Sequence, residues 1–149
     1  MEGELPKQPF FFISRVLDLI PQKAPFVMVD TLFDYTELTG ITGFDIPEDN
    51  ILVENGMFSE AGLIEHMAQS MSLHRGYQGF IAGLKKPKTG FIGVIKSVEI
   101  IELPKAGCKL KTYVEILHEV MNVTSVSART HNEDGKVIAI SEMKTVTVD

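Results

Sequence analysis

The chain has 149 residues, 44% of them hydrophobic and 23% charged, with a formal net charge of −6. That length suits one domain, residues 1–149, with a sizeable core, and the acidic balance argues against a surface for nucleic acid or anionic membrane. The single cysteine, Cys108, excludes an intrachain disulfide, and four scattered histidines form no metal motif, so neither metal nor other cofactor is expected. The opening MEGELPKQPFFFISR lacks a basic leader followed by a long apolar run, and no apolar stretch approaches ~18 residues. A protein of the reducing cytoplasm, without a membrane span, is the expectation.

In chain order, Met1 to Pro9 reads as a loose arm, and Phe12 to Ile20 as a short amphipathic helix carrying Ile13, Val16, Leu17 and Ile20 on one face and ended by Pro21. Phe26–Tyr35 and Thr36–Ile46, rich in β-branched and aromatic residues, read as a pair of antiparallel strands. Pro47 to Phe58 carries Pro, Asp-Asn and Asn-Gly signals and reads as a loop.

Ser59 to Gly76 is the stretch around which the rest is organised. Ser59 is a good N-cap, Glu60 sits in the first turn, and His74, Arg75 and Gly76 carry stop signals, so a helix of about five turns is predicted. Ile64, Met67, Ala68 and Met71 form an apolar stripe. Beside it lies a patch of small residues, Ala61, Gly62, Ala68 and Ser72, with Glu65 and Gln69 in its midst. Leu63 and Leu73 extend the apolar surface around much of the helix, which predicts burial on more than one side and assembly as a dimer.

Gly79–Thr89 reads as a polar connection. Strand-like runs follow at Gly90–Leu103, Leu110–Val120, Asn122–His131 and Lys136–Val148, the last preceded by the Asn132–Gly135 turn. Alternation places Leu110, Thr112, Val114, Ile116, His118 and Val120 on one face. Two early strands, one buried helix and then a run of antiparallel strands give an α+β chain in the order of the hotdog fold, in which an antiparallel sheet wraps a long central helix.

Three stretches strengthen that reading. Ile13 to Asp30, ISRVLDLIPQKAPFVMVD, resembles the opening I-x-x-L-L-P-H-R-x-P-F-L-L-V-D of the β-hydroxyacyl-acyl-carrier-protein dehydratases of the hotdog superfamily. Gly62 to Ser70, GLIEHMAQS, is similar to their central-helix motif V-L-I-V-E-A-M-A-Q. Phe91 to Val98, FIGVIKSV, resembles their strand F-A-G-I-D-K-A-R, and Pro104 to Leu110 stands where they have a P-G-D turn. One departure is large. The family's histidine before the helix would fall at Ile51, and no histidine occurs from Met1 to Glu65. In this loop the chain looks closer to the divergent dehydratase-like proteins of aryl-polyene pathways.

Dehydration of a 3-hydroxyacyl thioester needs a base for the Cα proton, an acid for the departing hydroxyl and donors for the enolate-like oxygen. The resemblance implies that Glu65 keeps the helix carboxylate's role, and that backbone N–H groups at Glu60, Ala61 and Gly62 receive the thioester carbonyl. Asn55, with Gly56, is the other candidate, since an amide orients a hydroxyl or carbonyl although it takes no proton; Asn-Gly is equally a tight-turn signal. Gln69 and Phe91 are expected beside the substrate, Glu54 is a candidate replacement base, and His66, His74, His118 and His131 read as surface or core histidines. The expected substrates are acyl-carrier-protein or CoA thioesters. Three functions remain open: a dehydratase homodimer, a hotdog thioesterase, and a subunit paired with a histidine-bearing hotdog relative.

Overall fold

The computed structural model describes residues 16–84 and 89–148. Six strands form one antiparallel sheet: β1 (Thr31–Tyr35), β2 (Thr39–Asp45), β5 (Thr89–Ile100), β6 (Lys109–Val120), β7 (Val123–His131) and β8 (Val137–Val148), in the spatial order β1-β2-β6-β7-β8-β5. A two-stranded hairpin, β3 (Val53–Glu54) with β4 (Met57–Phe58), precedes the helix α1 (Glu60–Ile81). This is the expected hotdog arrangement, a sheet curved around one long helix. Its core is made where Leu63, Met67 and Met71 of α1 meet Phe44, Leu110, Val114, Val126, Ala128 and Met143 of the sheet. Apart from Ala128, each such side chain contributes about 1.5–3 kcal/mol on full burial, so this contact is what holds helix and sheet together.

Several boundaries differ from those expected. The predicted arm Met1–Pro9, the first residues of the predicted Phe12–Ile20 helix and residues 85–88 of the predicted connection lie outside the described residues. Val16 to Ile20 form a turn closed by the Leu19 N–H on the Val16 carbonyl, packing with Val29, Leu32, Leu73 and Tyr77 in a second apolar cluster. Helix α1 does not stop at Gly76. A Cβ at position 76 would overlap the Leu19 carbonyl oxygen, so this glycine is a close-approach residue inside the helix. The stop comes at Gly83, with φ +80°, after the C-cap Ala82.

The predicted loop Pro47–Phe58 contains the β3–β4 hairpin, turned by Asn55 (φ 53°) and Gly56 (φ 78°). Of the predicted Phe26–Tyr35 strand only Thr31 onward pairs with β2. The alternation expected for β6 holds at Leu110, Thr112, Val114 and Ile116. A bulge between Ile116 and His118 then breaks it, leaving His118 and Val120 exposed. Glu119 instead turns toward α1 and meets Arg75 at 3.2 Å.

Candidate active site

The N-terminus of α1 is built from the hairpin before it. Ser59, extended at φ −73° and ψ 168°, accepts the Gly62 N–H on its side-chain oxygen at 3.2 Å, while its carbonyl accepts from Leu63 N–H. Gly62 is required by packing, because a Cβ there would lie 2.5 Å from the Phe58 ring. Of the three N–H groups expected at the carbonyl-binding end, that of Gly62 is therefore taken by the cap. Those of Glu60 and Ala61 remain at an exposed, electropositive helix start.

One turn further on stands Glu65, half-buried, on the side of the helix that carries Ala61 and Ala68. Its Oε2 accepts a 2.7 Å hydrogen bond from Gln69 Nε2, one helical turn away. Gln69 is fully buried, and it does more than flank a ligand as expected. Its Oε1 accepts from the Met28 N–H at 2.7 Å, and Nε2 also donates to the Phe26 carbonyl at 2.8 Å. The amide is committed to the chain on both sides, and the atom it touches at the site is the Glu65 carboxylate. Among the described residues no strand pairs with Phe26 or Met28, and Gln69 takes the place of that partner.

All four histidines are engaged away from Glu65. His66 is wholly buried, with Nδ1 2.7 Å from the Met28 carbonyl and Nε2 2.7 Å from Thr112 Oγ1. Burial pushes its pKa down to about 4, against the opposing pull of the Met28 carbonyl. His74 stacks on Tyr35 and bonds the Thr36 carbonyl at 2.9 Å; burial lowers its pKa too. His118 lies 3.2 Å from Ser125, beside the Glu119 and Thr124 pair that Arg75 grips, so strand alternation turns it to the opposite face of the sheet. His131 is paired with Lys111, whose ammonium caps Phe33, and both stand on that outer face.

The remaining candidates scatter. Asn55 and Gly56 are exposed at the hairpin tip in left-handed backbone, which is the tight-turn geometry, and the Gly56 carbonyl accepts from Ala106 N–H. Asn55 makes no hydrogen bond to Glu65. Glu54 is exposed at the same hairpin. Phe91 sits on β5, an edge strand of the sheet, and is 51% exposed. Among the described residues no group of three His, Cys, Asp or Glu is arranged for a metal, and no helix is long and apolar enough to cross a membrane.

The sequence singles out Glu65 as a candidate but does not reveal its hydrogen-bond surroundings. The signal was a pair of polar residues, His66 and Gln69, three apart on an otherwise apolar helix, which means two side chains reaching the same neighbouring segment from adjacent turns.

The chain is 27% identical over 157 residues to the 3-hydroxyacyl-[acyl-carrier-protein] dehydratase FabZ of Helicobacter acinonychis, covering 100% of this chain and 99% of that protein. Its fold matches a chain of the dehydratase heterocomplex ApeI:P from Xenorhabdus doucetiae with a TM-score of 0.75 at 15% identity, over 90% of this chain and 91% of that one. It also matches a hypothetical thioesterase from Streptococcus pneumoniae, solved with coenzyme A, with a TM-score of 0.64 at 12% identity, over 78% and 84% of the two chains. The family model described as ApeP dehydratase matches residues 14–148. The chain belongs to the ApeP-like family of hotdog dehydratases.

Proposed function

We propose that this chain contributes the carboxylate half of a 3-hydroxyacyl-thioester dehydratase and that a histidine-bearing hotdog partner contributes the other half. The reaction removes a proton from Cα, breaks the Cβ–O bond and releases the hydroxyl as water. Two titratable groups on the two sides of the substrate perform it best, one taking the Cα proton and one giving a proton to the leaving oxygen.

One observation carries the reading. Glu65 stands half-exposed and fixed by Gln69, while each of the four histidines is tied to other groups or turned to the far face of the sheet. Support also comes from the edge strand β5, whose outer side has no strand beside it among the described residues and whose Phe91, Val94 and Ile95 are about half exposed. A second sheet can join there by strand addition. The thioester carbonyl would rest at the N–H groups of Glu60 and Ala61. Acyl-carrier-protein thioesters are the preferred substrates, as in the name of the FabZ relative, and the heterocomplex named for the ApeI:P neighbour gives the model for the partner.

The test is turnover of a 3-hydroxyacyl-carrier-protein thioester, followed by enoyl absorbance, with the chain alone and mixed with a histidine-bearing hotdog protein from the same genome. The chain alone should be slow or inactive, and mixing should raise the rate by about 10²- to 10⁴-fold, the usual contribution of one positioned acid or base. Full activity of the purified chain alone refutes the partner. Release of free thiol without enoyl product selects a thioesterase instead.

A further inference from the structure

The residue next to the carboxylate, His66, is turned away from it and into the sheet, yet three hydrogen bonds, by way of Met28 and Gln69, connect the two. A carbonyl oxygen only accepts, so the 2.7 Å contact with Met28 O requires the hydrogen on Nδ1. A neutral ring then accepts at Nε2, which makes Thr112 Oγ1 the donor at 2.7 Å, and the oxygen of Thr112 in turn receives the hydrogen of Thr130 Oγ1 at 2.7 Å. The tautomer, the ring orientation and both hydroxyl rotors follow from that sequence of donors and acceptors.

Met28 is held from both sides by α1. Its carbonyl accepts from His66, and its N–H donates to Gln69 Oε1 at 2.7 Å. That second bond anchors the oxygen end of the Gln69 amide: with Oε1 on Met28, both hydrogens of Nε2 point to Phe26 O and Glu65 Oε2. The two acceptors Phe26 O and Glu65 Oε2 select the NH2 end, and the Met28 N–H holds the other end in place. Flipped, the amide would present an oxygen to a carboxylate, which repels it. Among the described residues no ladder pairs with Phe26 or Met28, and the nearest sheet bond is Asp30 N–H to Gly43 O, so the backbone of Met28 is located by the helix side chains while its side chain packs in the core against Asn50 Nδ2 at 3.4 Å.

We propose that His66 is a positioning residue for Glu65: by holding the Met28 carbonyl it fixes the segment that orients the Gln69 amide, and the amide fixes the carboxylate. The inference rests on the reading of Glu65 as the group that meets substrate, but its geometry does not.

Two measurements test it, both on the full chain. Long-range ¹⁵N–¹H correlation of the histidines in the wild-type protein at pH 7 should find His66 neutral with its hydrogen on Nδ1; a hydrogen on Nε2 overturns the proposal without any substitution. The second uses His66→Phe, which keeps a ring of similar size and removes both nitrogens, and His66→Gln, which restores a donor and an acceptor. The Gln69 side-chain amide resonance, identified by its loss in Gln69→Glu, should move in His66→Phe and lose exchange protection by about tenfold or more, with recovery in His66→Gln. In the partner-reconstituted reaction, His66→Phe should lower kcat by about 10- to 100-fold, the scale of a misplaced catalytic group, with KM changed less than about threefold. A folded His66→Phe protein whose Gln69 amide is unmoved overturns the proposal. A moved amide with unchanged kcat upholds the positioning of the carboxylate and overturns instead the reading of Glu65 as the group that meets substrate.

Discussion

Acidification should destabilise this protein well above the range in which carboxylates titrate, and His66 is the reason. Its ring is fully buried and its pKa falls from 6.5 to about 4 in the folded chain. The unfolded chain therefore binds the proton first as pH drops, so this histidine's contribution is fully present above about pH 6.5 and is lost as pH falls toward 4. A gap of about 2.5 units corresponds to about 3 kcal/mol across the whole window, and to about 2 kcal/mol between pH 7 and pH 5. That is a large share of the 5–15 kcal/mol by which domains of this size are usually stable. His74, also lowered by burial, adds to the same slope. Urea unfolding at pH 7.5, 6.5, 5.5 and 5.0 should show stability falling over this range in the wild-type chain. In His66→Gln the slope should shrink by about one proton, or about 1.4 kcal/mol per pH unit, with the His74 share left. Parallel pH profiles for the two proteins would refute the burial argument, because they would mean that His66 takes up its proton equally well folded and unfolded.

Glu65→Gln should unfold within about 1 kcal/mol of wild type, since a half-exposed carboxylate is replaced by an amide of the same shape, while partner-reconstituted turnover falls by about 10²-fold or more. Gly76→Ala should gain about 1 kcal/mol of helix propensity and lose more, about 1–3 kcal/mol or above, by forcing Leu19 away from the helix, so a lower Tm in a thermal melt is the net expectation. Phe91→Lys with Val94→Lys should leave the Tm of the isolated chain close to wild type, because both side chains are about half exposed, and should weaken association with the partner as read by light scattering.

The parts of this fold that were readable were those where one physical term dominates. Strands β6, β7 and β8 begin and end within a residue or two of the predicted limits, because alternation and the Asn132–Gly135 turn are local signals. Glycines misled in proportion to how far away their reason lay. Gly76 carries the sequence signature of a helix stop, and only the approach of Leu19, distant in sequence, reveals it as a packing residue. The strand predicted from Phe26 fails at its first half for a related reason. Phe26 to Met28 has strand-like composition, but its partners are the side chains of Gln69 and His66, and composition cannot distinguish a strand from a helix side chain as the hydrogen-bond partner. Glu65 was legible because a carboxylate among small residues on a buried helix needs an explanation. The buried polar bracket beside it was not, since each of its bonds joins residues far apart in sequence.

A subunit relieved of all chemistry would have little use for Glu65. Gln69 is needed in any case, because it satisfies the Met28 N–H and the Phe26 carbonyl, but the half-buried carboxylate could be replaced by an apolar residue at little cost to stability. The chain instead retains the carboxylate and holds it with a hydrogen bond from a side chain anchored at two backbone groups. Order at one oxygen atom is of little value to stability, because an exposed or half-exposed charge gains about 1 kcal/mol or less from such contacts. It is of great value to a reaction in which misplacement by an ångström costs about 10²-fold. On the proposed reading, the acid–base group that this chain does not supply, worth about 3–5 kcal/mol of barrier on the same scale, would come from the partner chain. An ordered acid with all four histidines of its own chain engaged elsewhere fits one half of a shared active site better than it fits a structural scaffold.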